Sequence, residues 1–152
     1  MKTNLFKIIS ILFLAISCSG DDSSSTENQE NLIIGSWQPV QAIFVDENGG
    51  QNIEIYDECQ LMGNTDFNLD GGFSQTGYYP VSNECGVEFD NTGNWEIING
   101  NILRVTLNGQ VDNGTMGDYL ILDLIDSTLK IDADLDIETI KQEIYVFTKF
   151  NL

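Results

Sequence analysis

Short alternating runs extend from Leu32 to the end of this 152-residue chain, and they constrain its fold more than any other feature. Apolar and polar residues alternate along 103–107 and 129–134, as they do in strands that bury one face. Glycine, asparagine and aspartate separate the runs, which is typical of hairpin turns. No run with helical periodicity has a substantial length. The sequence therefore predicts an all-β, antiparallel fold.

Turn signals and apolar runs together place the predicted strands. Asn99-Gly100 predicts a tight hairpin, because a type I′ turn requires positive φ at both positions. Asp126-Ser127 predicts a second tight link. About eight strands are expected, at 33–45, 60–68, 73–79, 86–90, 93–98, 102–108, 118–125 and 128–134, and 142–150 adds a further one. Two points stay open: 86–98 is one broken strand or two strands, and 135–142 has helical isoleucine spacing.

The order of these strands predicts their architecture. Consecutive hairpins without crossover helices form a meander, and about eight meandering strands close into a barrel without free edges. Such a barrel is either filled by its own side chains or encloses one small ligand. A two-sheet sandwich is the alternative architecture.

The charge balance limits the partners of the chain. Six lysines and arginines stand against 24 acidic residues, for a formal net charge of −18, and no positive side chain occurs between Cys18 and Leu103. Nucleic-acid binding requires clustered positive residues and is therefore excluded. The chain has no histidine, which excludes Ser-His-Asp and Cys-His catalysis and imidazole zinc sites.

The acidic residues form no recognisable metal or catalytic motif. The run Asp66-Phe67-Asn68-Leu69-Asp70-Gly71 begins like an EF-hand loop but has Gly77 at the twelfth position. The run from Asp132 to Glu143 has Ile137 where that loop requires glycine. No carboxylate pair stands out as a glycosidase acid and base, and no phosphate-binding loop occurs. We therefore predict no metal, no cofactor and no catalytic residue, and we do not expect an enzyme.

The first residues have the pattern of an export signal. Lys2 and Lys7 precede the apolar stretch 8–16, which at ~1.5 Å per residue covers only about half of a ~30 Å hydrocarbon core. The segment Ala15-Ile16-Ser17-Cys18 resembles the lipobox of bacterial lipoproteins, in which cleavage leaves an acylated cysteine. The resemblance implies a signal peptide at 1–17, lipid attachment at Cys18 and membrane association through N-terminal acyl chains. An ordinary signal peptide with an incidental cysteine is the alternative.

The number of cysteines agrees with lipid attachment. Three cysteines in an exported chain leave one without a disulfide partner. If Cys18 carries the lipid, Cys59 and Cys85 remain and are predicted to form a disulfide. Closing a loop of this size stabilises a chain by about 3 kcal/mol. Two buried free thiols are the alternative.

A polar segment separates the predicted anchor from the predicted domain. Residues 18–31 are rich in serine and acidic residues and are predicted to form a flexible tether, with the folded domain at 32–152. Asp21 and Asp22 behind the lipid cysteine resemble the surface-export signals of Bacteroidetes lipoproteins. The resemblance implies an outer-membrane lipoprotein exposed at the cell surface. A plain solvated spacer is the alternative.

Two tryptophan motifs carry a family resemblance. Gly35-Ser36-Trp37 opens the first strand, Gly93-Asn94-Trp95 precedes the Asn-Gly hairpin, and the chain ends with the strands at 128–131 and 145–149. This order resembles the lipocalin-like domains of Bacteroidetes lipoproteins over about residues 33–150. The resemblance implies a lipocalin-like barrel closed at one end by Gly35 and Trp37. It also implies that Lys149 lies over the Trp37 ring, where arginine is typical.

The same resemblance implies a non-enzymatic binder of a small apolar or amphipathic ligand. The aromatic residues expected near a barrel cavity are Tyr78, Tyr79, Phe89, Trp95, Tyr145 and Phe147. Four of them are the candidate ligand contacts: Tyr78, Trp95, Tyr145 and Phe147. The alternative is a filled barrel that presents the polar loops 46–52 and 109–117 to a protein or glycan partner.

Overall fold

The computed structural model of the protein describes residues 23–109, 115–133 and 140–150. Within these residues the chain forms one α-helix, one 3₁₀ turn (Gln60–Met62) and nine strands. The elements are α1 (Ser23–Ile33), β1 (Gly35–Asp46), β2 (Gln51–Ile55), β3 (Asn64–Phe67), β4 (Gly72–Val81), β5 (Glu84–Ile98), β6 (Ile102–Leu107), β7 (Thr115–Ile125), β8 (Thr128–Asp132) and β9 (Ile140–Lys149).

Eight antiparallel strands close into a barrel. The first strand, β1, pairs with β3, and the chain then continues as a meander from β3 to β9. Strand β9 returns along the whole of β1 and closes the barrel. The strand β2 is additional and pairs with the C-terminal half of β1, beyond the end of β3. The predicted meander and its closure are confirmed, and the architecture is not a sandwich.

The two tight turns lie where the sequence predicts them. Asn99 and Gly100 both have positive φ, at 52° and 81°, and join β5 to β6. Asp126 and Ser127 link β7 to β8, because Ile125 pairs directly with Thr128. Short turns of this kind keep consecutive strands adjacent, which is what makes the meander possible.

One open point is decided and two elements differ from the sequence-based expectation. The segments 86–90 and 93–98, left open as one strand or two, belong to the single strand β5. The segment predicted as a strand at 60–68 begins with the 3₁₀ turn and is a strand only from Asn64. The loop predicted at 46–52 is largely a tight turn, in which Asp46 Oδ1 accepts hydrogen bonds from the backbone N–H groups of Asn48 and Gly50. The last two residues of this predicted loop already belong to β2. That strand is exposed, lies at an edge and contains only two apolar residues.

A helix occupies part of the segment predicted as a flexible tether. Polar residues fill most of α1, and of these only Glu27, Gln29 and Glu30 are strong helix formers, while its last turn ends in Leu32 and Ile33. Ile33 is fully buried in the barrel core, so tertiary packing anchors a helix that its composition alone did not predict. No helix in the described part of the chain is long and apolar enough to span a bilayer. In the segment 135–142, which the sequence left ambiguous, residues 135–139 lie outside the described residues. The remaining residues belong to β9, which begins at Ile140.

The core is a stack of inward-facing side chains at the end of the barrel where α1 docks. The helix packs against β5 and β7. The buried cluster consists of Ile33, Trp37, Phe67, Phe73, Trp95, Ile97, Leu103, Val105, Ile121, Leu129, Ile131 and Phe147. Because these residues fill one end, the space inside the barrel lies toward the other end.

Candidate functional site: a cavity closed by a tryptophan and a lysine

Trp37 and Lys149 meet at the closed end of the barrel. The two residues are directly paired across β1 and β9, and the Lys149 Nζ atom lies 5.1 Å from the centroid of the Trp37 ring. Trp37 is fully buried. Gly35 has a φ of +132°, and a Cβ atom there would lie 2.8 Å from Lys149 Cε. Glycine suits this position for two reasons: other residues rarely adopt this backbone conformation, and a Cβ atom would collide with the Lys149 side chain.

The same two side chains cap the C-terminal end of α1. Lys149 Nζ donates a hydrogen bond of 2.8 Å to the Leu32 carbonyl, and Trp37 Nε1 donates one of 2.6 Å to the Ile33 carbonyl. The last carbonyl groups of a helix have no partner within it, and a cation near that end is favourable. The barrel motif thus holds the helix in place over the closed end.

Trp95 also belongs to the closed end. Its Nε1 atom donates a hydrogen bond of 3.0 Å to the Asn68 carbonyl in the β3–β4 turn. Its ring packs edge-on against Phe67, with centroids 5.7 Å apart. A Cβ atom at Gly93 would lie 2.0 Å from the Thr106 carbonyl oxygen, so this glycine allows β5 and β6 to approach closely. The second Gly-x-Trp motif therefore has a packing role, and its tryptophan is not part of the cavity wall.

A cavity of about 550 Å³ occupies the barrel above this core. This volume is within the range of small-molecule sites. Its floor and lower walls are apolar and consist mainly of Phe67, Phe73, Leu103, Val105, Leu129, Ile131 and Phe147. The exposed side chains of Glu88 and Phe89 mark its mouth.

One wall of the cavity carries a row of polar side chains. Thr65, Gln75 and Asn91 lie on β3, β4 and β5, and each is the direct cross-strand partner of the next. All three line the cavity. Directly paired residues share a face of the sheet, so the row forms a polar stripe on this wall, above the apolar floor. Such a stripe orients a ligand that has a polar group.

A disulfide shapes the mouth of the cavity. Cys59 precedes the 3₁₀ turn and is bonded to Cys85 near the start of β5, with the two Cα atoms 5.3 Å apart. The bond ties segment 56–63 to the β4–β5 hairpin, and this segment supplies Tyr56, Gln60 and Gly63 to the cavity wall. The predicted pairing of Cys59 with Cys85 is therefore present. The disulfide closes the side of the barrel where β4 continues beyond its pairing with β3 and is not paired with β2.

Three tyrosines that line the cavity lie near one buried glutamate. Tyr56, Tyr119 and Tyr145, the tyrosine cluster, all line the cavity. Tyr145 Oη donates a hydrogen bond to Glu143 Oε1, two residues earlier on β9. Glu143 has only 6% of its surface exposed. A buried acidic group therefore lies next to the tyrosine cluster.

The pKa values of the tyrosine cluster reflect this arrangement. Burial and the nearby charges of Glu54 and Glu143 raise the pKa of Tyr56 to about 12. Burial, the hydrogen bond to Glu143 and its charge raise the pKa of Tyr145, and burial and Glu143 raise that of Tyr119. The charge of Glu143 acts on all three phenols, and all three remain protonated at neutral pH.

The structure brings some of the predicted site residues together and separates others. Tyr78, Tyr145 and Phe147 line the cavity, as does Phe89, whereas Trp95 lies beneath it. Tyr79 is on the outer surface, with 45% of its surface exposed. Sequence reasoning missed Tyr56 and Tyr119 as cavity residues, and it missed Glu143 as the acidic group that accepts a hydrogen bond from Tyr145. The signal for Glu143 was the period-two alternation of β9, which gives Glu143 the same face as Tyr145 and Phe147.

Cys18, Asp21 and Asp22, and residues 110–114 of the predicted loop 109–117, lie outside the described residues.

Two solved structures match this chain. A lipocalin-like protein from Bacteroides uniformis is 20% identical, with a TM-score of 0.54, and the match covers 78% of this chain and 99% of that one. A redesigned β-barrel is 12% identical, with a TM-score of 0.40, and the match covers 81% and 96% of the two chains. No curated protein matches the chain.

A family model gives the more specific result. The model of the lipocalin-like domain matches residues 33–131, which include the Gly-x-Trp motif, both disulfide cysteines and most of the cavity wall. A closed eight-stranded barrel with a cavity and this match together identify the family. The chain belongs to the lipocalin-like domain family.

Proposed function

We propose that this protein is a lipid-anchored binding protein of the cell envelope, which holds a small apolar or amphipathic molecule inside its barrel without transforming it. The observation that carries the binding function is the cavity of about 550 Å³, with an apolar floor and a polar stripe on one wall. A ligand in this space gains about 25 cal/mol for each Å² of apolar surface that it removes from water.

The cavity favours ligand binding over the filled-barrel alternative. A barrel that only presents loops has no need of a space this large, because core voids are destabilising. The family match supports the same choice, since lipocalin-like proteins are generally binders.

The proposed envelope location depends on the first 22 residues. The basic start, the short apolar stretch and the lipobox-like Cys18 support export and acylation. Asp21 and Asp22 support display at the outer surface of the outer membrane. In this arrangement α1 connects the anchor to the closed end of the barrel, so the cavity mouth faces away from the membrane.

Filling the cavity tests the binding function. Ala133 lines the cavity near the tyrosine cluster, and Ala133→Trp would place an indole in the space. Leu122→Trp adds an indole at an exposed position of β7 and is the matched control. Binding of the neutral dye Nile red is followed by its fluorescence. Native mass spectrometry of wild-type protein purified from its own envelope then identifies any ligand carried along.

We expect the dye to bind the wild-type protein and Leu122→Trp with the same affinity. Ala133→Trp is expected to lose most of this binding while retaining the circular dichroism spectrum of the wild type. Equal dye binding by all three proteins, or none by the wild type, would show that the cavity does not bind such molecules.

A further inference from the structure

The charges around the cavity indicate which kind of ligand it selects, an inference that rests on the binding function proposed above. None of the described residues that line the cavity is a lysine or an arginine. Arg104 and Lys130 form ion pairs with acidic residues of the outer surface, and Lys149 lies at the closed end. Lys141 is exposed. A ligand with a negative charge would therefore find no counter-charge in the described part of the wall.

Glu143 is a buried acidic group that has no cationic partner among the described residues. It pairs with Phe44 across β1 and β9, on the inward face of the barrel. Its described hydrogen bond to a side chain is the one from Tyr145, and the ion pairs among described residues do not include it. Burying an acidic group without a cation is costly, and a positive charge nearby would lower that cost.

Tyr145 connects the buried Glu143 to the cavity. A phenol has one donor and two acceptor positions, and the Tyr145 hydroxyl uses its donor on Glu143. The hydroxyl oxygen of this cavity-lining residue therefore keeps its acceptor positions, and donation to a charged group strengthens that acceptor. The aromatic faces of the tyrosine cluster also favour a cation, because their quadrupoles are negative above the ring.

We propose that the cavity selects an amphipathic ligand that carries a protonated amine. The ammonium group lies at the tyrosine cluster, in the field of Glu143, and the apolar part extends to the floor formed by Phe73 and Phe147. The formal net charge of −18 adds a general attraction for such cations.

Three probes with the same ten-carbon chain test this selectivity: decylamine, decanol and decanoate. Their affinities for the full mature protein are measured by isothermal titration calorimetry at neutral pH. We expect decylamine to bind about tenfold or more tightly than either other probe, as a charge-assisted contact usually produces. Equal or weaker binding of decylamine would overturn the proposal.

Glu143→Gln tests the source of the selectivity, because it removes the charge and keeps an acceptor for Tyr145. We expect the decylamine affinity to fall by about tenfold while decanol binding is unchanged. Asp126→Asn, in the exposed turn between β7 and β8 at the closed end, removes one charge far from the cluster and is the control. An equal loss in both variants would mean that only net charge matters, which contradicts the proposal.

Tyr145→Phe provides a second variant in case Glu143→Gln does not fold. It keeps the ring and removes the acceptor oxygen, so the ratio of decylamine to decanol affinity is expected to fall. An unchanged ratio would contradict the assignment.

The two proposals can fail separately. If Nile red binds and Ala133→Trp blocks its binding but decylamine is not preferred, the amine selectivity fails and the binding function stands. If none of the probes binds, both fail.

Discussion

Replacing Lys149 with methionine tests how the closed end of the barrel is held together. The lysine Nζ atom lies 5.1 Å from the Trp37 ring centroid and donates a 2.8 Å hydrogen bond to the Leu32 carbonyl of α1. Methionine keeps an apolar stem over Gly35 and removes only the charge and the donor. The change isolates the two polar contacts from the packing.

The expected loss follows from those two contacts. A partly desolvated cation–π contact contributes roughly 1 kcal/mol, and a hydrogen bond from a charged donor contributes about 1.5 kcal/mol. Because both use the same ammonium group, we expect a total of about 2 kcal/mol rather than the full sum. At ~2.1 cal/mol/K per residue, a barrel of roughly 115 residues from Gly35 to Lys149 would lose about 8 °C in Tm.

Equilibrium unfolding in guanidinium chloride, followed by tryptophan fluorescence, measures this loss. Lys141→Met is the control, since Lys141 is an exposed lysine of the same strand, and its replacement is expected to change the unfolding free energy by less than about 0.5 kcal/mol. A double-mutant cycle with Trp37→Phe should give a coupling energy of about 1 kcal/mol. Equal effects of the two lysine substitutions, or no coupling to Trp37, would refute the reasoning.

Three further predictions concern the disulfide, the tyrosine cluster and the anchor. Cys59→Ser with Cys85→Ser should lower the unfolding free energy by about 2–5 kcal/mol, and thiol labelling of the denatured, unreduced wild type should find neither cysteine reactive. The raised tyrosine pKa values stabilise the fold fully below the ordinary pKa of 10, and this contribution is lost as the pH rises through the folded value of about 12 for Tyr56. Spectrophotometric titration should therefore show three of the five tyrosines ionising above the ordinary pKa of 10, with Tyr56 at about 12, or only on unfolding, and normal titration of all five would contradict the buried cluster. Cys18→Ser should abolish incorporation of a fatty-acid analogue and release the protein from the membrane, whereas a labelled variant would rule out Cys18 as the attachment site.

Local patterns were enough to predict most of the fold. Alternation, turn residues and hairpin signals depend on neighbours within a few positions, so they identified the meander and the turn at Asn99-Gly100 from sequence alone. The odd number of cysteines indicated the Cys59–Cys85 pair, which the structure contains. A family resemblance linked Trp37 with Lys149, although they are far apart in the chain.

The tertiary structure decided the features that depend on several distant segments at once. Helix α1 forms because Ile33 is buried in the core and because Lys149 and Trp37 cap its last carbonyl groups, contacts that its polar composition does not reveal. Trp95 has the same local motif as Trp37, yet its position beneath the cavity depends on how closely β5 and β6 approach at Gly93.

The cavity site depends even more on the tertiary structure. The sequence by itself predicted an antiparallel meander with inward-facing aromatic residues, because strand periodicity is a local property, and it left the barrel and the sandwich as alternatives. It did not determine that Tyr56, Tyr119 and Tyr145 surround Glu143, because those residues come from three separate segments. Their meeting follows from strand register and barrel closure, and closure is decided only when β9 pairs with β1.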